Sequence, residues 1–263
     1  MFDSSQFPVS RRADGTTVAA PLTDLPRTEQ LAALRARMDA IHGRVGAREA
    51  PPMPSTAPAN TLPIPGALGD ALPAGGLPRG SLIACTGRLG PLLGLLAVAT
   101  AAGEWTAVLG SPRLGLLAVA EMGGNLARLA HIADPGDDPL HVAAVLLDGL
   151  PVVALDRPIT PAVSRTRAVL ARIRSHEAIL VTTQTGCARP DLEIHTELAE
   201  YDGIGRGRGR LRSITYTVHV SGRAARRPRS TALRLGPDGT QRSCWTRPPA
   251  DSHISVTAIS RTG

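Results

Sequence analysis

Residues 77–94 read LPRGSLIACTGRLGPLLG, and the order of residue types in this stretch decides the fold. Ser81-Leu82-Ile83-Ala84-Cys85-Thr86 is a short apolar run of the kind buried inside a sheet, Gly87 opens a tight turn, and Leu92 to Ala102 continues as an apolar helix. Strand, glycine turn and helix form the grammar of a phosphate-binding loop. The chemistry of such a loop is missing. The pattern G-x-x-x-x-G-K-[ST] needs a second glycine so that backbone amides can curl around phosphates, a lysine for the β/γ-phosphates and a hydroxyl for magnesium. Counted from Gly87, those three positions hold Leu92, Leu93 and Gly94.

Composition strengthens this loss. All 29 Lys+Arg residues are arginine, so no lysine reaches a phosphate from elsewhere. Arg88 could supply charge, but its planar fork binds differently from an ammonium. With 263 residues, 43% of them hydrophobic and only 2% aromatic, the chain has one substantial core made of Leu, Val, Ile and Ala. Such a core suits a parallel sheet covered by helices. No apolar run approaches the ~18 residues of a membrane span, and the start, MFDSSQFPVSRRADG, lacks the basic-then-apolar order of a secretory signal. Cys85, Cys187 and Cys244 are odd in number and far apart, which points to a reduced cytoplasmic protein without structural zinc. The histidines are scattered without ligand spacing, and neither metal nor cofactor is expected.

The net charge of +7 is uneven. Residues 1–202 carry 17 Arg against 20 acidic residues, whereas residues 203–263 carry 12 Arg against 2. A basic C-terminal part suits nucleic acid or an acidic protein surface.

Along the chain, residues 1–23 are polar and aperiodic, and Leu31, Leu34, Met38, Ile41 and Val45 then mark an amphipathic helix over 27–46. It either packs on its own domain or docks on a partner. Residues 1–49 thus comprise an unstructured start and this helix, and residues 50–65 a Pro-rich linker. A core over 66–202 alternates strands (81–86, 105–109, 126–132, 151–155, 178–183) with helices (92–102, 116–122, 140–148, 161–175). Such alternation predicts a parallel sheet flanked by helices. Over 203–247 an Arg-rich β extension follows, with strands at 213–220, 232–235 and 241–245 after one at 192–198. Residues 248–263 read as a disordered tail.

The joints of these elements resemble the RecA recombinase core over about residues 62–245. Ile64 to Gly80, with its Gly75-Gly76-Leu77-Pro78-Arg79-Gly80 turn, resembles the entry into the first RecA core strand. Pro151-Val152-Val153-Ala154-Leu155-Asp156 resembles the Walker B strand, which implies that Asp156 stands where a magnesium-associated aspartate belongs. Ala178–Thr183 followed by Gln184 resembles the strand that ends in the γ-phosphate sensor. The departures matter as much. The RecA pattern places its water-activating glutamate at Ser111, so no general base is left there, and the segments after Asp156 and Gln184 are short where RecA has its DNA loops. Mg²⁺ is rarely held by one protein carboxylate, so Asp156 and Gln184 are read as inherited structural positions.

A RecA-like core with a degenerate phosphate site, an N-terminal helix and an arginine-rich end resembles the actinobacterial ImuA-prime proteins, accessory factors of the SOS mutasome. The resemblance implies a non-catalytic adaptor in translesion synthesis. Its implied partner is ImuB, the inactive Y-family polymerase homologue, with an error-prone C-family polymerase and the sliding clamp as indirect partners and a nucleoid-associated place in the cytoplasm. Two alternatives stand beside it: a single-strand-DNA-binding or RecA-filament-modulating protein, and an atypical ATPase using arginine. The candidate contact residues are Arg206, Arg208, Arg210 and Arg212, interleaved with glycine, and Arg223, Arg226, Arg227 and Arg229 close by in sequence. Glycine lets the backbone approach a phosphate chain while arginine supplies charge and stacking. A solvated loop, DNA or an acidic protein partner each accounts for the run.

Overall fold

The computed structural model describes residues 9–11, 17–19, 60–184, 188–205, 208–225, 227–239 and 242–249, and the chain divides into two compact units, Met1–Pro54 and Ser55–Gly263. In the first unit β1 (Val9–Arg11) pairs antiparallel with β2 (Thr17–Ala19), Val9 opposite Ala19. This corrects the expectation of an unstructured start, since the β-branched Val9, Thr17 and Val18 favour extended backbone. The expected helix with Leu31, Leu34, Met38, Ile41 and Val45 lies outside the described residues.

The second unit begins inside the stretch read as linker. β3 (Thr61–Pro63) pairs antiparallel with β4 (Gly76–Pro78), and Leu62 is fully buried between the chain's other leucines. Prolines at 63 and 65 do not prevent this, because a two-stranded edge tolerates them. α1 (Gly66–Asp70) connects the pair. There follow β5 (Ser81–Gly87), α2 (Gly90–Ala101), β6 (Thr106–Gly110), α3 (Leu116–Glu121), β7 (Leu129–Ile132), α4 (Pro139–Leu146), β8 (Val152–Asp156), α5 (Val163–Ser175) and β9 (Ile179–Thr182). The C-terminal part adds β10 (Leu192–Gly205), β11 (Arg208–Ser221), β12 (Arg229–Pro237) and β13 (Ser243–Thr246).

These strands form one nine-stranded sheet in the order β13-β12-β11-β10-β5-β9-β8-β6-β7. Pairing is parallel from β10 to β7 and antiparallel from β10 to β13. The fold is therefore α/β, with a mostly parallel sheet flanked by helices and an antiparallel C-terminal extension. Side chains alternate across each strand. Ile83, Cys85, Val108, Ala154, Val181, Ile194 and Val218 face one layer with Leu68, Leu92, Leu95 and Leu96 of α1 and α2. Leu82, Leu109, Val153, Leu155 and Leu180 face the other with Leu140, Leu147, Val169 and Ile173 of α4 and α5. Burial on both faces explains why β5, β8 and β9 are continuous apolar runs in the sequence.

Three expectations change. Residues 126–128 form a 3-10 turn instead of the start of a strand, because the Asn125 side chain accepts a hydrogen bond from Ala127 N at 3.0 Å and curls the backbone. α2 starts at Gly90, two residues before the expected helix. Most consequential, β10 and β11 are each 14 residues long. The boundary expected at 202/203 falls within β10, and Gly203-Ile204-Gly205 and Arg208 to Arg212 belong to a hairpin, not a loop.

Candidate functional site

The C-terminal ends of the parallel strands carry the expected nucleotide positions, and most of them are spent inside the protein. Gly87 ends β5 with φ +88°, and a Cβ there would stand 2.0 Å from Thr196 O on β10. Only glycine fits so close to a neighbouring backbone. The next amide, Arg88 N, donates to the same Thr196 O at 3.0 Å. The first N–H that a phosphate loop would offer to a ligand is thus committed to the sheet. Arg88 and Leu89 are the only residues between β5 and α2, and Pro91 in the first helical turn has no N–H to give.

The helix positions that would hold the second glycine, lysine and hydroxyl are filled. Leu92 is 1% exposed in the core, and Leu93 is half-buried and lies near Gly115. Gly90 and Gly94 are one turn apart and so share a helix face, and two aromatic side chains from the extension occupy the space they leave. A Cβ on Gly90 would lie 2.7 Å from the Tyr216 hydroxyl, and one on Gly94 would lie 2.4 Å from Trp245 Nε1. The two rings pack with centroids 5.6 Å apart and planes tilted by 46°, within the range where aromatic pairs attract. Trp245 Nε1 is buried with no hydrogen-bond partner among the described residues. Burial, with Tyr201 adding and Arg88 opposing, raises the Tyr216 phenol above its ordinary value of 10.0. Tyr216 and Trp245 are not legible in the sequence as site residues, because their place follows from packing against Gly90 and Gly94 far away in the chain.

Across the sheet, Asp156 ends β8 and accepts a hydrogen bond from the Thr183 hydroxyl just beyond β9, while Thr183 N donates to Leu155 O at 3.2 Å. The carboxylate therefore ties two strand ends together. Gly110 and Ser111 turn the chain after β6 with φ of +81° and +54°, and His131 Nε2 donates to both carbonyls, at 3.3 and 3.0 Å. Ser111 is 7% exposed. Gln184 is exposed and follows Thr183, away from any assembled phosphate cradle. The residues present do not fit a nucleoside triphosphate with its magnesium: the amide is used, the hydroxyl position is covered by Trp245, and the sequence holds no lysine.

The basic residues separate into two groups. Arg208, Arg210 and Arg212 lie on the first half of β11, with Arg210 and Arg212 exposed. Arg223, Arg227 and Arg229 lie where β11 ends and β12 begins, and Arg223 is ion-paired with Asp191. Arg206 and Arg226 lie outside the described residues. Close in sequence, the two groups sit at opposite ends of β11, about 25 Å apart at ~3.3 Å per residue.

The model of the MT3502 N-terminal domain matches residues 70–188. The uncharacterised protein Rv3395c of Mycobacterium tuberculosis is 38% identical over 171 residues, covering 60% of this chain and 83% of the relative. The chain belongs to the MT3502 family. The matched domain runs from α1 to just past β9, so in this MT3502-family chain the extension that supplies Tyr216 and Trp245 lies beyond it. Among solved structures, the RadB recombinase aligns with 71% of the chain and 99% of its own at 13% identity and TM-score 0.49. The flagellar accessory protein FlaH from Methanocaldococcus jannaschii aligns with 72% and 100% at 12% identity and TM-score 0.48. Among the described residues of this MT3502-family member, no helix is long and apolar enough to cross a membrane.

Proposed function

We propose that this chain is a non-catalytic RecA-like accessory protein of damage-induced translesion synthesis. It joins an ImuB-type inactive Y-family polymerase homologue to DNA, beside an error-prone C-family polymerase and the sliding clamp. The observation that supports this reading is the seating of Trp245 and Tyr216 on Gly94 and Gly90. Nucleotide turnover needs amides and cations aimed at phosphate, and here the helix positions that would start the cradle and carry its hydroxyl are glycines packed under the protein's own rings. A RecA-like body that has given up the phosphate site keeps its surfaces, and surfaces are what an adaptor uses.

Two measurements test the reading. Calorimetric titration of the full chain with Mg-ATP is expected to give no binding in the micromolar range; micromolar binding, or hydrolysis lost in Asp156→Ala, would overturn the non-catalytic assignment. Co-expression with the polymerase homologue is expected to yield a complex that survives gel filtration. A complex that never forms, at any ratio of the two chains, refutes the adaptor role.

A further inference from the structure

The long hairpin of β10 and β11 outruns the sheet that carries it. β10 pairs with β5 only over Leu192–Thr196, and β11 pairs with β12 only over Ile214–Val220. The pairing of β10 with β11 nevertheless continues past Tyr201 opposite Ile214 and Asp202 opposite Ser213 to Gly205 opposite Arg208. Beyond Tyr201 opposite Ile214 the ribbon pairs with neither β5 nor β12, over roughly 15 Å at ~3.3 Å per residue, and only Gly236 of β12 still lies beside Ser213 and Arg212 at its root. Two irregularities shape it, between Leu198 and Glu200 and between Asp202 and Ile204. At the second, Gly203 has φ +89° and lies against β11 so closely that a Cβ would meet Arg210 O at 2.2 Å.

The side chains on this arm divide by chemistry. Arg210 and Arg212 are exposed and form no ion pair among the described residues. Ile204, Leu211 and Tyr201 are 58%, 42% and 52% exposed. The acidic residues stay at the root: Asp202 is held by Arg234 at 3.0 Å, Glu197 lies 3.3 Å from His195, and Glu200 precedes Tyr201. Cationic and aliphatic groups therefore lie outward of the carboxylates.

We infer that this arm binds double-stranded DNA, entering a groove with its two strands while Arg210 and Arg212 meet the flanking phosphates. The inference rests on the DNA-contacting side of the accessory reading. A two-stranded ribbon matches the width of a duplex groove, and aliphatic side chains beside arginines suit a groove wall and a base step. Single-stranded DNA is the poorer occupant because it is held by successive stacking aromatics. Among the described aromatic residues, Tyr216 and Trp245 are packed on each other and Trp105 lies under the Arg128 guanidinium at 5.3 Å, so Tyr201 alone offers a ring on the arm. An acidic protein surface would meet the arginines but leaves the paired ribbon edges and the outward aliphatic side chains without a reason.

The test is fluorescence anisotropy of the full chain with a labelled mixed-sequence duplex and with one of its strands, over a salt series, with no polymerase homologue present. The duplex is expected to bind more tightly than the strand. In Arg210→Ala/Arg212→Ala the slope of log K against log salt is expected to shrink by about 2, at ~0.9 for each phosphate no longer neutralised. Arg227→Ala/Arg229→Ala, at the far end of β11, is expected to change it less. An unchanged slope in the arm variant, tighter binding of the single strand, or no binding of either DNA at low salt overturns the inference, and the last result assigns the arm to an acidic protein. Because the polymerase homologue takes no part, failure here leaves the co-expression result standing, and the reverse also holds.

Discussion

Gly90 and Gly94 on α2, and Gly203 on the arm, use the same missing side chain in opposite directions. On α2 it admits two rings, from β11 and β13, that pack over the helix face. On the arm it lets two backbones pass close together, and the neighbouring arginines stay outside. Both stretches read in sequence as backbone prepared for phosphate. What separates them is the destination of their polar groups. Arg88 N is bonded to Thr196 O and can serve no ligand, whereas Arg210 and Arg212 have no carboxylate among the described residues to neutralise them. Glycine with nearby arginine is thus no signature of phosphate binding until the partner of each donor is known.

The sharpest way to break this contrast is Trp245→Ala. Removing this half-buried ring from its seat on Gly94 is expected to cost about 2 kcal/mol, less than the loss of a fully buried aromatic, and urea denaturation would register it as a lowered midpoint with an unchanged slope. A loss below about 1 kcal/mol would mean that α2 closes without the extension. The inward side is expected to show a second mark in alkali. Burial pushes the Cys85 thiol from its ordinary value of 9.0 up to about 12. Above pH 9 the unfolded chain gives up this proton while the folded chain keeps it, so stability falls as pH rises between those values. The loss at pH 10 is about 1.4 kcal/mol, and Cys85→Ala should remove it from the pH profile. The smallest effect belongs to the outward side: Arg210→Ala/Arg212→Ala is expected to shift unfolding free energy by less than about 0.5 kcal/mol. A larger loss would show the arginines to be part of the packing.

Much of this division is written locally in the chain. β5, β8 and β9 are buried on both faces and announce themselves as short runs of Leu, Ile, Val and Ala, and the defects at Leu92, Leu93, Gly94 and Ser111 are visible by counting. The arm is not legible as strand, because glycine and arginine have weak intrinsic preference for a sheet and the register of the paired strands overrides it. The strand expected at 213–220 already separates Arg208 to Arg212 from Arg223 to Arg229, and what it hides is that the same strand runs on through the first group. Tyr216 and Trp245 are invisible for a different reason. Their meaning lies in packing against Gly90 and Gly94, and no local pattern encodes a contact across the chain. Asp156 shows the converse, since its strand marks its place while its partner, the Thr183 hydroxyl, becomes evident only from the sheet order.

The seating of Trp245 on Gly94 also sets an order in time. More than half of the chain separates the two residues, and β13, which carries the ring, is the last strand of the sheet. While the chain is being synthesised, α2 and the parallel strands emerge with the groove over Gly90 and Gly94 still open and apolar. The closing contact is then one of long sequence separation, the kind that forms late and slowly. Until the final strand leaves the ribosome, the nascent protein therefore exposes the surface that its finished form hides. In that interval it depends most on whatever shields apolar surface in the cell.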